Sequence, residues 1–401
     1  MNKNTSRIVF VLLSAALQAT LACAEPTLVE RGEYLARAGD CVACHTDPAG
    51  GAPLAGGVRI ETPFGYMLSP NITPDAATGI GSWSGDDFYR ALHHGVNKRG
   101  EDMYPTMPFD FYTKATRADV DAIYAWLRTV KPVERKVDVN HLHFPFDQRW
   151  TMAGWRELYF REGTFRPDPA RSAAWNRGAY LVEGLGHCSD CHSPRNLLGG
   201  IEKGKDFAGA VVDGWFALNL TSNLATGLGA WSVPEIAGYL KTGIARDKTT
   251  TLGPMAVVIK DSTSHLTDDD RLAMAEYLKA LPPESTLRTG RVPPDPTKLR
   301  GAQLYLAHCA GCHQASGRGV PNVFPPLAGN PVVLAADPND IVKVVDNGIR
   351  GRNGFIAMPA FKLQLTDQQV ADLANYVRTS WGNQAAPNAT PPLVAKMRAS
   401  P

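Results

Sequence analysis

The chain has 401 residues, 44% of them hydrophobic, with Lys+Arg 41 against Asp+Glu 39. That is length for roughly two to four ordinary domains, and the near balance of charge removes any electrostatic case for nucleic-acid binding. The 37 Gly and 30 Pro demand much loop between the regular elements.

The N-terminus reads as an export signal. Lys3 and Arg7 supply a positive region, and Ile8 to Leu21 is apolar except for Ser14, Gln18 and Thr20. Ala22-Cys23-Ala24 is a small-residue cleavage site, giving a signal over residues 1–24 and a mature start at Glu25. A lipoprotein cysteine at Cys23 is the alternative, disfavoured by Thr20 where a Leu is usual. The stretch is short for a membrane span, and no later segment offers about 18 uninterrupted apolar residues. The expected location is therefore the periplasm, at the outer face of the cytoplasmic membrane.

A first unit is expected over 25–133. Arg31-Gly32-Glu33-Tyr34-Leu35 opens it on a short helix with apolar residues at helical spacing. Cys41-Val42-Ala43-Cys44-His45 follows, then a turn-rich block from Asn71 to Ser84, and Arg117 to Thr129 closes the unit as an amphipathic helix. The stretch 134–169 carries Phe144, Phe146, Trp150, Trp155, Tyr159 and Phe160, too aromatic for a plain linker. It is expected to pack on a neighbouring unit or on a partner.

The same order then recurs. In a second unit, 170–283, Arg177-Gly178-Ala179-Tyr180-Leu181 leads into Cys188-Ser189-Asp190-Cys191-His192, and the block Asn219 to Ser232 matches eight of the fourteen positions of the first. Its closing helix is Thr267 to Ala280. A Pro-rich linker, 284–296, is expected to be stiff. In a third unit, 297–383, Arg300-Gly301-Ala302-Gln303-Leu304 precedes Cys309-Ala310-Gly311-Cys312-His313, the long block is missing, and Thr366 to Thr379 closes. Thr267 and Thr366 are expected N-caps, and Tyr124, Tyr277 and Tyr376 are expected at equivalent places as core aromatics. Residues 384–401 are expected as a flexible tail.

Cys-x-x-Cys-His is the spacing of c-type haem attachment. Two thiols bond to the porphyrin edge and the adjacent His takes one axial position on iron. The paired thiols are Cys41 and Cys44, Cys188 and Cys191, Cys309 and Cys312; the axial imidazoles are His45, His192 and His313. A disulfide or redox dithiol does not explain a His after the second Cys three times over. A zinc site needs further Cys or His pairs nearby. The expectation is three covalently bound haem c groups.

A second axial donor is sought among the few Met residues. Met107, Met255 and Met358 lie 62, 63 and 45 residues after their His, each beside a proline and before the closing helix. Core packing is the ordinary fate of Met, but three equivalent positions favour ligation. Met67 and Met103 compete in the first unit. His93 and His94 would give bis-His ligation, though their place beside Gly95 suggests a helix end. A thioether raises the potential, and six-coordinate iron leaves no room for substrate, which points to electron transfer.

These motifs, with Asn71-Ile72-Thr73-Pro74-Asp75, Tyr104 to Phe109, Trp175 to Val182, His192-Ser193-Pro194-Arg195, Gly253-Pro254-Met255, Phe324 to Asn330 and Met358-Pro359-Ala360-Phe361, resemble the triple-haem cytochrome c subunits of bacterial membrane-associated dehydrogenase complexes. Those serve alcohol, gluconate, sorbitol or glucose dehydrogenases, and similar subunits serve nicotinate dehydrogenase. The resemblance implies a mainly α fold of three tandem cytochrome c-like haem domains with extensive loops, and His/Met ligation by the residues above. It implies a subunit without a substrate site of its own, taking electrons from a flavin, quinoprotein or molybdenum catalytic subunit. Quinone or another respiratory acceptor such as a cytochrome would receive them, with peripheral membrane association. The short tail after Asn383 and the polar stretch Ala245 to Leu252 depart from that pattern, the first speaking against a C-terminal membrane attachment and the second suggesting a partner surface of its own. A peroxidase-type haem enzyme with one open axial site and a free-standing soluble carrier are the alternative readings.

Overall fold

The structure, a computed structural model, describes residues 26–245, 247–284, 297–351 and 356–399. The signal, Cys23 and all of the Pro-rich linker except Glu284 lie outside the described residues. The described chain is mainly helical with three small antiparallel sheets.

Each unit is built on one crossing of two helices. Opening helices Leu28–Ala38, Ala173–Tyr180 and Lys298–His308 lie against closing helices Arg117–Leu127, Asp268–Lys279 and Asp367–Thr379. The glycine of each Arg-Gly motif sits at the crossing. A Cβ on Gly32 would stand 1.9 Å from the Ala122 carbonyl oxygen, on Gly178 2.0 Å from that of Ala273, and on Gly301 2.4 Å from that of Asp372. The residue four places on from that carbonyl covers the glycine: Trp126, Tyr277 and Tyr376. This corrects the expected alignment in the first unit, where Trp126, and not Tyr124, is the equivalent of Tyr277 and Tyr376. Tyr124 lies half a turn back and donates its hydroxyl to the Trp83 carbonyl at 2.6 Å.

The closing helices start where capping chemistry dictates. Thr116, Thr267 and Thr366 each accept the backbone N–H three residues on, from Asp119, Asp270 and Gln369. Between opening and closing helices each unit adds a middle helix, Gly85–His94, Val233–Thr242 or Asn339–Asn347. Each unit buries a main core, and the first two exchange residues: Tyr180 and Leu185 of the second unit enter the first core, and Ala38 of the first enters the second.

The first two units grip each other reciprocally. Arg31 pairs with Asp119 within the first unit and Arg177 with Asp270 within the second, at 2.5 and 2.7 Å. Each carboxylate also accepts a tyrosine hydroxyl from the other unit: Tyr34 donates at 2.5 Å to Asp270 Oδ2, which Arg177 also holds, and Tyr180 donates to the Asp119 oxygen that Arg31 leaves free. Tyr34 and Phe165 pack on both cores. The third unit has Gln303 where the others have Tyr and is attached otherwise. Its Asp340 carboxylate accepts the Phe216 backbone N–H at 2.6 Å, and its Lys343 donates to the Asp213 carbonyl at 2.8 Å and stands 4.8 Å from the Trp215 ring.

The connecting stretch divides its aromatics. Helix Thr151–Tyr159 buries Trp155 against Phe109, and Phe160 follows it into the same small core with Tyr104, Met67 and Met152. Phe144 and Trp150 stay exposed, at 80% and 70%. The tail departs from expectation. Helix Pro391–Ala399 buries Val394 in the third core, and Arg398 forks onto Asp346 with a further ion pair to Asp367. Those carboxylates lie on two other helices, a match that only the folded unit brings together.

Gly178→Ala is expected to destabilise the protein by about 1–3 kcal/mol in denaturant unfolding, because a backbone carbonyl cannot step aside. Gly238→Ala, with nothing within 4 Å of the added methyl in helix Val233–Thr242, is expected to stabilise by about 0.5–1 kcal/mol. Tyr34→Phe and Tyr180→Phe each remove a hydrogen bond to a charged acceptor, a loss of about 1.5–3 kcal/mol. The double variant should admit protease between the first two units at temperatures where the parent resists.

Candidate functional site

The cysteine motifs follow their opening helices after a sharp reversal. Asp40 and His187, immediately before Cys41 and Cys188, both hold left-handed backbone. The short helical turns Cys41–His45, Cys188–His192 and Ala310–His313 then present the sulfurs and the imidazole on one side. All six motif cysteines are free thiols. Burial pushes Cys41, Cys44 and Cys188 up to about 12 and Cys309 to about 11, and raises Cys191 as well. Among the described residues, none of them falls in a group of three or more donors able to hold a metal ion.

The three imidazoles share one geometry. His45 Nδ1 lies 2.8 Å from the Pro70 carbonyl oxygen, His192 Nδ1 2.6 Å from that of Leu218, and His313 Nδ1 3.1 Å from that of Pro325. A carbonyl oxygen can only accept, so Nδ1 carries the proton and Nε2 presents a lone pair. Burial lowers all three imidazoles below their usual range and outweighs the opposing pull of the carbonyl, which keeps them neutral.

In the first two units those carbonyls lie immediately before the repeated Asn block, which anchors them. Asn71 and Asn219, each next to the accepting residue, are buried. Their side-chain amides donate at 2.7 Å to the Val133 and Glu284 carbonyls, beyond the closing helices. Their side-chain oxygens accept the N–H of Thr73 and Thr221 at 2.9 and 2.8 Å. The block therefore ties the carbonyl that orients the His to the end of its unit. In the third unit the carbonyl comes from Pro325, 12 residues after its His instead of 25 or 26. Sequence reasoning missed Pro70, Leu218 and Pro325, because a backbone acceptor leaves no side-chain signature; the one available signal, for Pro70 and Leu218 alone, was their place just before the repeated Asn.

The middle unit holds an apolar cavity of about 180 Å³ that is partly open to solvent. Cys188, Cys191, His192 and Met255 all line it. Protein interiors keep few voids larger than a water molecule, so an apolar hollow lined by two thiols, an imidazole and a thioether is a candidate ligand site. Its wall is not the second unit's alone. Ala38 and Asp40 of the first unit and Pro331, Val332 and Asp340 of the third also face it.

In the outer units the Met donors keep the same company. Met107 packs on the core that holds Cys41, and Met358 on the core that holds Cys309. Met67 belongs elsewhere: its sulfur accepts the Thr106 hydroxyl at 3.1 Å in the core under Trp155. Met103 touches both cores of the first unit and stays the nearer competitor. His93 and His94 do end the middle helix, with Gly95 left-handed after them, and both face Glu162 of the connecting stretch.

The sequence pattern of the Cytochrome c family matches residues 29–131 and 299–381, the first and third units. The chain is 38% identical to the "Alcohol dehydrogenase (quinone), cytochrome c subunit" of Gluconacetobacter polyoxogenes, over 98% of this chain and 89% of that one. It is 39% identical to the "Gluconate 2-dehydrogenase cytochrome c subunit" of Pantoea cypripedii, over 94% and 90%. A "Diheme cytochrome c-type" protein of Cereibacter sphaeroides is 39% identical over 63% of this chain and 85% of its own length. Likeness that runs the length of the chain, over donors already arranged for haem, settles the family: this is a member of the cytochrome c family, among the cytochrome c subunits of dehydrogenase complexes.

Proposed function

We propose that the protein is a triple-haem c-type cytochrome that relays electrons from a periplasmic dehydrogenase catalytic subunit to quinone or another respiratory acceptor. The observation that carries this reading is the threefold recurrence of one device: a neutral imidazole beside two thiols, its Nδ1–H held by a backbone carbonyl. The middle unit is the one outside the family match, yet it has that device and the cavity to go with it.

Covalent haem would supply a one-electron couple there, with its potential raised by thioether ligation. Cys41, Cys44, Cys188, Cys191, Cys309 and Cys312 would hold it through their sulfurs, and His45, His192 and His313 would offer imidazole nitrogens to the iron. Met107, Met255 and Met358 would offer the thioethers, leaving substrate no vacant position. Apolar walls exclude water. Because the middle cavity borders both neighbours, the order first–second–third is the short path through the chain.

The third unit is suited to exchange with other proteins. Cys312 is exposed at its motif, and Ile356 and Leu363, on the stretch that carries Met358, stand 58% and 99% exposed. The catalytic partner would be of flavin, quinoprotein or molybdenum type, by likeness to the subunits named above. The protein would act in the periplasm, associated peripherally with the membrane. Among the described residues no helix is long and apolar enough to cross one.

The mass of the exported protein is expected to exceed that of the mature polypeptide by three haem groups; a smaller excess removes a site. Met107→Ala, Met255→Ala and Met358→Ala should each convert one haem from its low-spin, thioether-ligated spectrum and lower that haem's potential, while Met103→Ala leaves all three unchanged. A replacement without spectral effect would mark that haem as open and favour the peroxidase-type reading. The purified chain alone should reduce and reoxidise without oxidising alcohols, sugars or sugar acids.

A further inference from the structure

Among the described residues, one group of three metal-capable donors lies outside the haem sites: His93, His94 and Glu162, with donor atoms all within 4.8 Å of one another. The two imidazoles end the middle helix of the first unit, and the carboxylate comes from the connecting stretch, 68 residues along the chain from His94. His94 Nδ1 is 2.8 Å from Glu162 Oε2, and His93 Nε2 is 4.0 Å from Glu162 Oε1.

His93 is 5% exposed and its Nδ1 has no hydrogen-bond partner. A buried imidazole with an orphaned nitrogen needs an explanation. The Tyr89 ring, stacked on it at 4.8 Å, holds its plane, while the His94 ring meets it edge-on at 4.9 Å. The site also lies at a helix C-terminus, where the backbone dipole favours a cation. Arg156 opposes this in part by donating to the His94 carbonyl at 2.8 Å, but its own charge is offset by Asp102 at 3.3 Å.

We propose that His93, His94 and Glu162 bind a divalent cation of the zinc class, which staples the connecting stretch to the middle helix of the first unit. Two imidazoles and one carboxylate are a donor set that zinc accepts, with bonds of about 2.0–2.2 Å and a fourth position left to water. Donors bound in that geometry stand about 3.3 Å apart, so a cluster whose donors lie within 4.8 Å of one another needs to tighten by at most about 1.5 Å, which the half-exposed Glu162 and His94 side chains can supply. The staple closes a long loop, and its anchor lies next to Phe160, which packs against the segment that carries Met107.

The test uses the haem-loaded protein, stripped with a chelator and dialysed against zinc chloride at neutral pH. One zinc per chain is expected by elemental analysis. Zinc should also slow proteolysis within 144–162. Glu162→Gln and His94→Ala, both at accessible side chains, should weaken binding by at least about tenfold and abolish that protection, with the haem spectrum unchanged as proof of folding. His265→Ala, on an exposed turn, should bind as the parent does. Absence of stoichiometric zinc in the parent, or equal zinc affinity in Glu162→Gln and His94→Ala, would overturn the proposal.

Discussion

Each unit depends on two helices approaching so closely that a glycine must lie between them. At Gly32, Gly178 and Gly301 an added methyl would overlap a backbone carbonyl of the closing helix. Backbone-to-backbone contact of this kind cannot be relieved by a rotamer change, so it fixes the angle and depth at which the helices cross. The consequence travels along the chain. The cysteines follow the opening helix within a few residues, and the closing helix fixes the residues after it, where the Asn71 and Asn219 amides find their carbonyl partners. One steric constraint thereby places the attachment sulfurs and, through the Asn block, the acceptor that orients the imidazole.

That acceptor is what turns a histidine into a directed donor. A buried imidazole free to rotate presents either nitrogen, whereas a backbone carbonyl at Nδ1 leaves one tautomer and one direction. The repeats conserve this bond among themselves while changing what delivers it. Two units use a long block anchored by a buried Asn; the third uses a proline carbonyl at less than half the sequence distance. The geometry is held and the loop is free, as expected when the rigid partner and not the loop sets the requirement.

Much of this was legible in the sequence because it is local and repeated. The motifs, the capping threonines at 267 and 366 and the closing helices recur at matched spacing and declare themselves without a fold. What failed was whatever depends on long-range pairing. Tyr124 was matched to Tyr277 and Tyr376 by residue type, but the crossing selects by distance from a carbonyl, and Trp126 stands there. The tail looked too short and too mixed to order, yet Arg398 finds Asp346 and Asp367. The grip between the first two units was invisible for the same reason. Tyr34 and Tyr180 read as ordinary helix residues until each is seen to complete the other unit's Arg–Asp pair.

The thioether side shows how three copies of one unit became one machine. Met107, Met255 and Met358, the thioethers proposed as second axial donors, sit on loops that are each supported in a different way. In the first unit that support is the connecting stretch, with Trp155 and Phe160 against Phe109, two residues past Met107. In the second it is Trp215, whose ring lies on Gly253, two residues before Met255, while Lys343 of the third unit stands over that ring. In the third, Met358 is bridged to Ile349 within its own unit, and Phe361 is buried beside it. The second unit thus has Lys343 of the third over the ring beside its Met loop, and shares its cavity wall with both neighbours. A middle domain cut free of the others would lose parts of its own site, and this explains in physical terms why the three units travel in one chain instead of as separate small proteins.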